Sequence, residues 1–191
     1  MSQNPLTYKS DIILKTPTSV LRPWSAEDRL SLVRHADNPG IAACMRDGFK
    51  SPYTLADADR FLTMATGDHP HILLAVTVDN QAIGGIGIHR FDDIYHRTAE
   101  IGYWLSEKYW GKGIITDAVR AIIPVAFMKT ELIRLQAGIF SNNPGSMRVL
   151  EKNGFILEAV HKKAITKHGE VLDEHLYVLF RDDLMADSLS S

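Results

Sequence analysis

"YWGKGIITDAVRA", residues 109–121, sets Gly111 and Gly113 one residue apart, directly before an apolar stretch. Glycine is a poor helix former, so the pair belongs to a turn. Beyond it, Ala118, Val119, Ile122, Ile123 and Ala126 recur at i, i+1, i+4, i+5 and i+8, one apolar stripe of a helix packed on a sheet. Pro124 falls inside the stripe; it lacks a backbone donor and is expected to bend or break the helix. The N-terminus of such a helix offers unpaired N–H groups and a partial positive charge. Glycines let a phosphate approach that backbone with no Cβ in the way. Lys112 adds a charge beside it, and Thr116 a hydroxyl that can cap the helix or donate to an oxygen. The spacing is neither that of a P-loop nor G-x-G-x-x-G, since position 116 is Thr. On these residues alone two readings stand level: a phosphate-holding turn, and a tight strand–helix connection.

Working outward, "TAEIGYWLS" (98–106) alternates, with Ala99, Ile101, Tyr103 and Leu105 on one face and Glu100, Gly102 and Trp104 on the other. "LIRLQAGIF" (132–140) reads as the next strand. "NPGSMRVLEKNGF" (143–155) reads as a short helix capped by Asn143, with Pro144 at its first position and Asn153-Gly154 at its end. Two strands, about 156–166 and 171–181, follow around the turn "KHGE". Upstream, "SVLRPW" (19–24) is a short strand, and Ser25 and Asp28 form a capping box for a helix to about His35. "TLADADRFLTMA" (54–65) is a second helix capped by Thr54. "HILLAVTV" (71–78) and "QAIGGIGIH" (81–89) are strands joined by Asp79-Asn80. This order predicts an α/β (α+β) domain: a mixed sheet of about seven strands with helices on both faces.

The bulk numbers fit one such domain. The chain has 191 residues, 45% hydrophobic and 23% charged, with a net charge of −2. That charge gives no general attraction to nucleic acid. No apolar run approaches the ~20 residues that span a bilayer. The opening "MSQNPLTYKSDIIL" lacks the basic-then-apolar pattern of a secretory signal. Cys44 is the single cysteine, so an intramolecular disulfide is excluded, which fits a cytoplasmic location. It is read as a plain thiol. The eight histidines show no zinc-ligand spacing, so no metal is expected.

"AEIGYWLSEKYWGKGIITDAVRAIIPVAF" (99–127) followed by "LIRLQAGIFSNNPGSMRVLEKNGF" (132–155) resembles the GNAT superfamily of acetyl-CoA-dependent N-acetyltransferases. More narrowly it resembles the RimJ/RimL branch, which acetylates N-terminal amines of ribosomal proteins and, in relatives, other amines. The resemblance is strong over 99–181 and looser over 19–98, through "LRPWSAED" and "AIGGIGIHRF…RTAEIGY". The family's R/Q-x-x-G-x-G/A motif falls on residues 110–115; Gly113 keeps it, whereas Trp110 and Ile115 depart from it. The resemblance implies that backbone N–H groups of Gly111, Lys112, Gly113, Ile114, Ile115 and Thr116 hold the coenzyme A pyrophosphate. It implies a bulged strand at 98–106 that splays from 132–140, with pantetheine pairing against Trp104, Leu105 and Ser106. Asn143 matches a pantetheine-binding Asn and doubles as the helix cap.

For chemistry, the resemblance makes Glu100 the candidate base; the alternative is a structural carboxylate paired with Arg97 or Arg134. Many relatives place a Tyr, the acid for the departing thiolate, where this chain has Leu150. Either Ser146 takes that role or water protonates the thiol. Asp92, Asp93 and Tyr95 could attract a cationic amine or form a solvated hairpin end. Trp24, Phe49 and Tyr53 could line the acceptor pocket or simply pack. The expectation is one domain over 1–191, with a core at about 19–183, as a monomer or homodimer. It would transfer acetyl from acetyl-CoA to a primary amine by direct attack, foremost a protein N-terminal α-amine. The alternatives are a small amine (polyamine, amino acid or antibiotic) and an inactive coenzyme A-binding module.

Overall fold

The computed structural model describes residues 12–184. The N-terminal opening and the "LSS" end, expected to be a frayed tail, lie outside the described residues.

The chain starts with β1 (Leu14–Lys15) and β2 (Val20–Pro23). The Ser25/Asp28 capping box is present and opens a 3-10 turn (Ala26–Asp28) that leads into α1 (Arg29–Ala36). Asp28 is buried and takes a two-pronged contact from Arg22, at 2.8 and 2.7 Å, which ties this turn to β2. A short α2 (Pro39–Ala42) follows, which the sequence pattern did not announce. α3 (Leu55–Thr66) begins at the Thr54/Asp57 capping box. β3 (Ile72–Val78) and β4 (Gln81–Arg90) form a hairpin whose turn residues, Asp79 and Asn80, both have positive φ. Both are residue types that tolerate this conformation. β5 (Thr98–Leu105) runs into the glycine turn and α4 (Ile114–Met128). β6 (Arg134–Phe140), α5 (Pro144–Glu151), β7 (Ile156–Lys167) and β8 (Glu170–Phe180) complete the order.

All strands join one sheet in the order β1-β2-β3-β4-β5-β6-β8-β7. The strand beyond the expected seven is the two-residue β1, too short to carry a periodic signal. β5 and β6 are parallel; the other neighbours are antiparallel. One face is covered by α4, whose Ala118, Val119, Ile122, Ile123 and Ala126 are buried among Ile86, Ile101, Leu135 and Leu150. The other face carries α1 and α3, packed through Leu32, Ala36, Ala58 and Leu62 on Leu73, Ala75 and Ala82.

Two expectations change. Pro124 does not break α4, which continues to Met128; burial of the apolar stripe on both sides of it outweighs one missing hydrogen bond. β5 carries no register shift against β4, from Gly84↔Leu105 to Arg90↔Ala99. Register shifts lie instead between β3 and β4, at Val76/Thr77, and between β7 and β8, at Leu157/Ala159 and His161/Ile165.

Asp28 combines burial, an ion pair and a helix-initiating cap. Asp28→Ala strands the Arg22 guanidinium and opens the cap, and is expected to cost about 3 kcal/mol. Urea denaturation should show a lower midpoint with an unchanged slope.

Candidate functional site

β5 and β6 pair only at Thr98↔Arg134, Ala99↔Leu135 and Glu100↔Gln136. Beyond Glu100 they part. β5 continues against β4 through Ile101–Leu105, and β6 continues against β8 through Ala137–Phe140. Their facing edges between these stretches have no strand partner. The wedge is part of a cavity of about 1320 Å³ that runs from the glycine turn, through the sheet, to the face under α1 and α3.

At the first end, Gly111 (φ +72) and Gly113 (φ +79) take the left-handed conformation. A Cβ at either would meet no protein atom within 4 Å, so backbone conformation, not crowding, calls for glycine. Gly113 is the N-cap of α4 and no side chain caps that terminus. The Thr116 hydroxyl does not cap the helix; the Thr116 carbonyl accepts from Asn153 Nδ2 at 3.2 Å. Gly111, Gly113, Ile114, Ile115 and Thr116 all line the cavity, leaving an uncapped, dipole-positive terminus facing it. Trp110, where the family motif has Arg or Gln, donates from its indole Nε1 to the Leu105 carbonyl at 2.7 Å. That bond pins the turn to the end of β5. Arg148 on α5 and Lys152 at its C-cap also line the cavity, and the Asn153–Thr116 bond holds the end of α5 beside the first turn of α4. Sequence reasoning missed both cations, which carry no motif.

Several expected contacts sit elsewhere. Lys112 is exposed outside the lining, its Nζ 5.2 Å from the Tyr109 ring centre. Ser106 is buried away from the cavity: its N–H bonds Ile83 O at 2.9 Å and its Oγ lies 3.0 Å from His35 Nδ1. Leu105 lines the cavity, but its carbonyl is taken by Trp110. Trp104 lines it from the opposite face, edge-on to Phe49 at 5.8 Å.

In the wedge, Asn143 Oδ1 accepts from Ser146 N at 3.1 Å, so its capping role is real. Ser146 is buried, and its Oγ lies 2.7 Å from Tyr103 Oη. Burial pushes the Tyr103 phenol well above its ordinary range, so it keeps its proton and remains a donor. The alternation pattern had placed Tyr103 on the core face, which is where it packs; the reach of its hydroxyl to α5 was not visible. Leu150 is fully buried and carries no proton to give.

On the far face, Glu100 is half-buried and lines the cavity. Its partner is Arg46, Nη2 to Oε2 at 2.9 Å, rather than Arg97 or Arg134. Arg97 instead bonds the Glu131 carbonyl, and Arg134 pairs with Glu158. Arg46 sits in a loop without periodicity, so no local pattern signalled it. Trp24, Phe49 and Tyr53 line this end together with Phe61 and His89, and Trp24 and Tyr53 are also buried, so packing and lining coincide. Room for the indoles comes from Gly85, where a Cβ would lie 2.7 Å from Trp104 Nε1. Asp92, Asp93 and Tyr95 form an exposed turn outside the cavity lining, and so stand as the solvated hairpin end. Cys44 lines the cavity with its thiol pushed up by burial, an unreactive state. Among the described residues no His, Cys, Asp and Glu cluster is placed to hold a metal ion, and no helix is long and apolar enough to cross a membrane.

An uncapped helix terminus behind two left-handed glycines, a splayed parallel strand pair and a buried hydroxyl pair in the wedge suit a long anionic thioester cosubstrate. Comparison with known proteins agrees. Residues 19–156 match the acetyltransferase (GNAT) domain. The probable N-acetyltransferase YjcK of Bacillus subtilis is 29% identical over 185 residues, covering 90% of this chain and 98% of that protein. The ribosomal-protein-serine acetyltransferase of Escherichia coli is 38% identical over 104 residues, covering 54% of this chain and 58% of that protein. The crystal structure of a ribosomal-protein-S5-alanine acetyltransferase from Vibrio fischeri superposes with a TM-score of 0.78 at 23% identity, covering 91% and 98% of the two chains. The chain therefore belongs to the GNAT family, as an acetyl-CoA-dependent N-acetyltransferase with RimJ/RimL-like relatives.

Proposed function

We propose that this N-acetyltransferase works as one domain and acetylates the N-terminal α-amine of a protein. The observation that carries this reading is the continuous cavity. It joins the glycine turn to an aromatic-lined far end with Glu100 beside it. The E. coli relative, a ribosomal-protein-serine acetyltransferase, supports the acceptor class. The chemistry favours it too: an α-amine, with a pKa near ~8, loses its proton far more readily at neutral pH than a lysine-like amine near ~10.

In this reading, backbone N–H groups of the 111–116 turn bind the pyrophosphate, and Arg148 and Lys152 add positive charge nearby. The unpaired edge of β5 receives the pantetheine arm as an added strand, with Asn143 beside it. The amine enters from the far face, drawn by the Glu100 carboxylate. It attacks the thioester carbonyl in a ternary complex, and a β5 N–H steadies the developing oxyanion. The departing thiolate is protonated at the Tyr103–Ser146 hydroxyl pair. Ser146 and Tyr103 thus share the place that Leu150 leaves empty of a donor.

Thiol release from acetyl-CoA, followed with a panel of peptides and small amines, tests the acceptor. Release with peptides and not with spermidine, amino acids or aminoglycosides is expected. Release with small amines alone overturns the acceptor class, and coenzyme A binding without release overturns catalysis. Gly113→Val imposes left-handed strain on a β-branched residue and is expected to weaken coenzyme A affinity roughly 10- to 100-fold by calorimetry. Glu100→Gln is expected to lower kcat/KM for the acceptor about tenfold or more, with acetyl-CoA affinity within about twofold of wild type.

A further inference from the structure

His89 is a cavity-lining residue with no part in the chemistry so far. It lies on β4 directly across from Glu100, so both side chains project from the same face of the sheet. Its ring lies over two glycines: a Cβ at Gly87 would come within 2.9 Å of Nε2, and one at Gly102 within 3.8 Å. The missing side chains at 87 and 102 are what give the imidazole its place. Among the described residues neither ring nitrogen of His89 is engaged in a hydrogen bond, whereas the Glu100 carboxylate is engaged by Arg46.

Two further imidazoles stand behind it. The His71 ring lies 5.3 Å from that of His89, and His69 stacks 5.8 Å from His71. His71 Nδ1 accepts the Arg90 N–H and His69 Nδ1 accepts the His71 N–H, both at 3.2 Å. His69 Nε2 lies 3.1 Å from the Ala65 carbonyl, to which it donates. In each of these rings Nδ1 is taken up as an acceptor of a backbone N–H. The charged and titratable groups facing His89 are therefore Arg46 and Glu100 at the cavity and His71 and His69 behind. Burial first, then Arg46 and His69, hold the His89 pKa below its ordinary value. The ring is thus neutral and able to accept a proton at neutral pH. An imidazole, with a reference pKa near ~6.5, also suits a base working near pH 7 better than a carboxylate near ~4.3.

We propose that His89 is the base that takes the proton from the acceptor ammonium, while Glu100, across the strand pair, holds that ammonium in place. This rests on the acetyltransferase reading and assigns the destination of its first proton. The ammonium N–H bond breaks, its electron pair stays on nitrogen, and the proton goes to a free ring nitrogen of His89. The nitrogen pair then forms the C–N bond as the carbonyl π electrons move to oxygen. When the carbonyl re-forms, the C–S bond breaks and its pair leaves on sulfur. The nitrogen's second proton passes to water, the thiolate takes a proton from the Tyr103–Ser146 hydroxyl pair, and that pair regains one from water. His89 returns its proton to water.

The test is a pH profile of kcat and kcat/KM from pH 5 to 9 for the wild type, His89→Gln and Glu100→Gln, with a peptide that the wild type acetylates. The wild type should lose activity on the acid side, as His89 becomes protonated, with an apparent pKa below the ordinary histidine value. His89→Gln should drop kcat about 100-fold or more, abolish the acid limb and keep the acetyl-CoA KM within about twofold, which also reports that it is folded. Glu100→Gln should raise the acceptor KM about tenfold and keep the limb. Near-wild-type kcat with an intact limb in His89→Gln, or loss of the limb in Glu100→Gln, overturns the assignment. An NMR titration of the His89 ring in the wild type needs no variant to fold: a ring already protonated at pH 7 overturns it as well. No turnover by the wild type with any acceptor overturns the parent reading, and this one with it.

Discussion

Everything at the site depends on two parallel strands that pair briefly and then part. β5 and β6 share the register only from Thr98 to Glu100 and from Arg134 to Gln136. A sheet interior ordinarily leaves no backbone group without a partner. Here the strands are kept apart by what each is bound to on its outer side: β5 to β4 along its full length, and β6 to β8. The wedge between them is therefore fixed by the fold, and it presents unpaired main-chain groups that an extended ligand can satisfy. α5 crosses at this level, and its first turn puts Ser146 against Tyr103 in the gap.

The same strand shapes both ends of the cavity. At its C-terminal end, the Leu105 carbonyl is bound by Trp110, which fixes the glycine turn and points the uncapped start of α4 into the cavity. At its N-terminal end, Glu100 faces His89 on the opposite side of the sheet from α4. Between them Tyr103 points to the α5 side and Trp104 to the aromatic far end. Alternation along one strand thus divides the cavity into a glycine-turn side and an aromatic side, joined by the wedge; the proposed function assigns the first to the cosubstrate and the second to the acceptor.

Much of this was legible in the sequence, for reasons that are local. The capping box at Ser25, the Thr54 cap, the Asp79-Asn80 turn, the Asn143 cap and the Gly111/Gly113 turn are each set by residues within a few positions of one another, and each is present. The period-2 pattern of 98–106 correctly assigned both faces of β5. What was not legible depends on distant segments. Arg46 reaches Glu100 from a loop 54 residues away. Ser106 bonds to His35 of α1, 71 residues away in sequence. Tyr103 was grouped with the apolar face, which hid a hydroxyl that extends past the packing layer. The place of the His89 ring depends on Gly87 and on Gly102 of the neighbouring strand, which clear space for it. Pro124 does not break α4, because local propensity is a weak term beside the burial of a whole helix face.

Hydrogen exchange of backbone amides with and without saturating coenzyme A tests the central claim most directly. The account predicts slowed exchange at Gly111–Thr116 and at the β6-facing amides of β5 between Ile101 and Leu105, with little change on β7 and β8. Binding without protection of these amides, or with protection centred elsewhere, would contradict it.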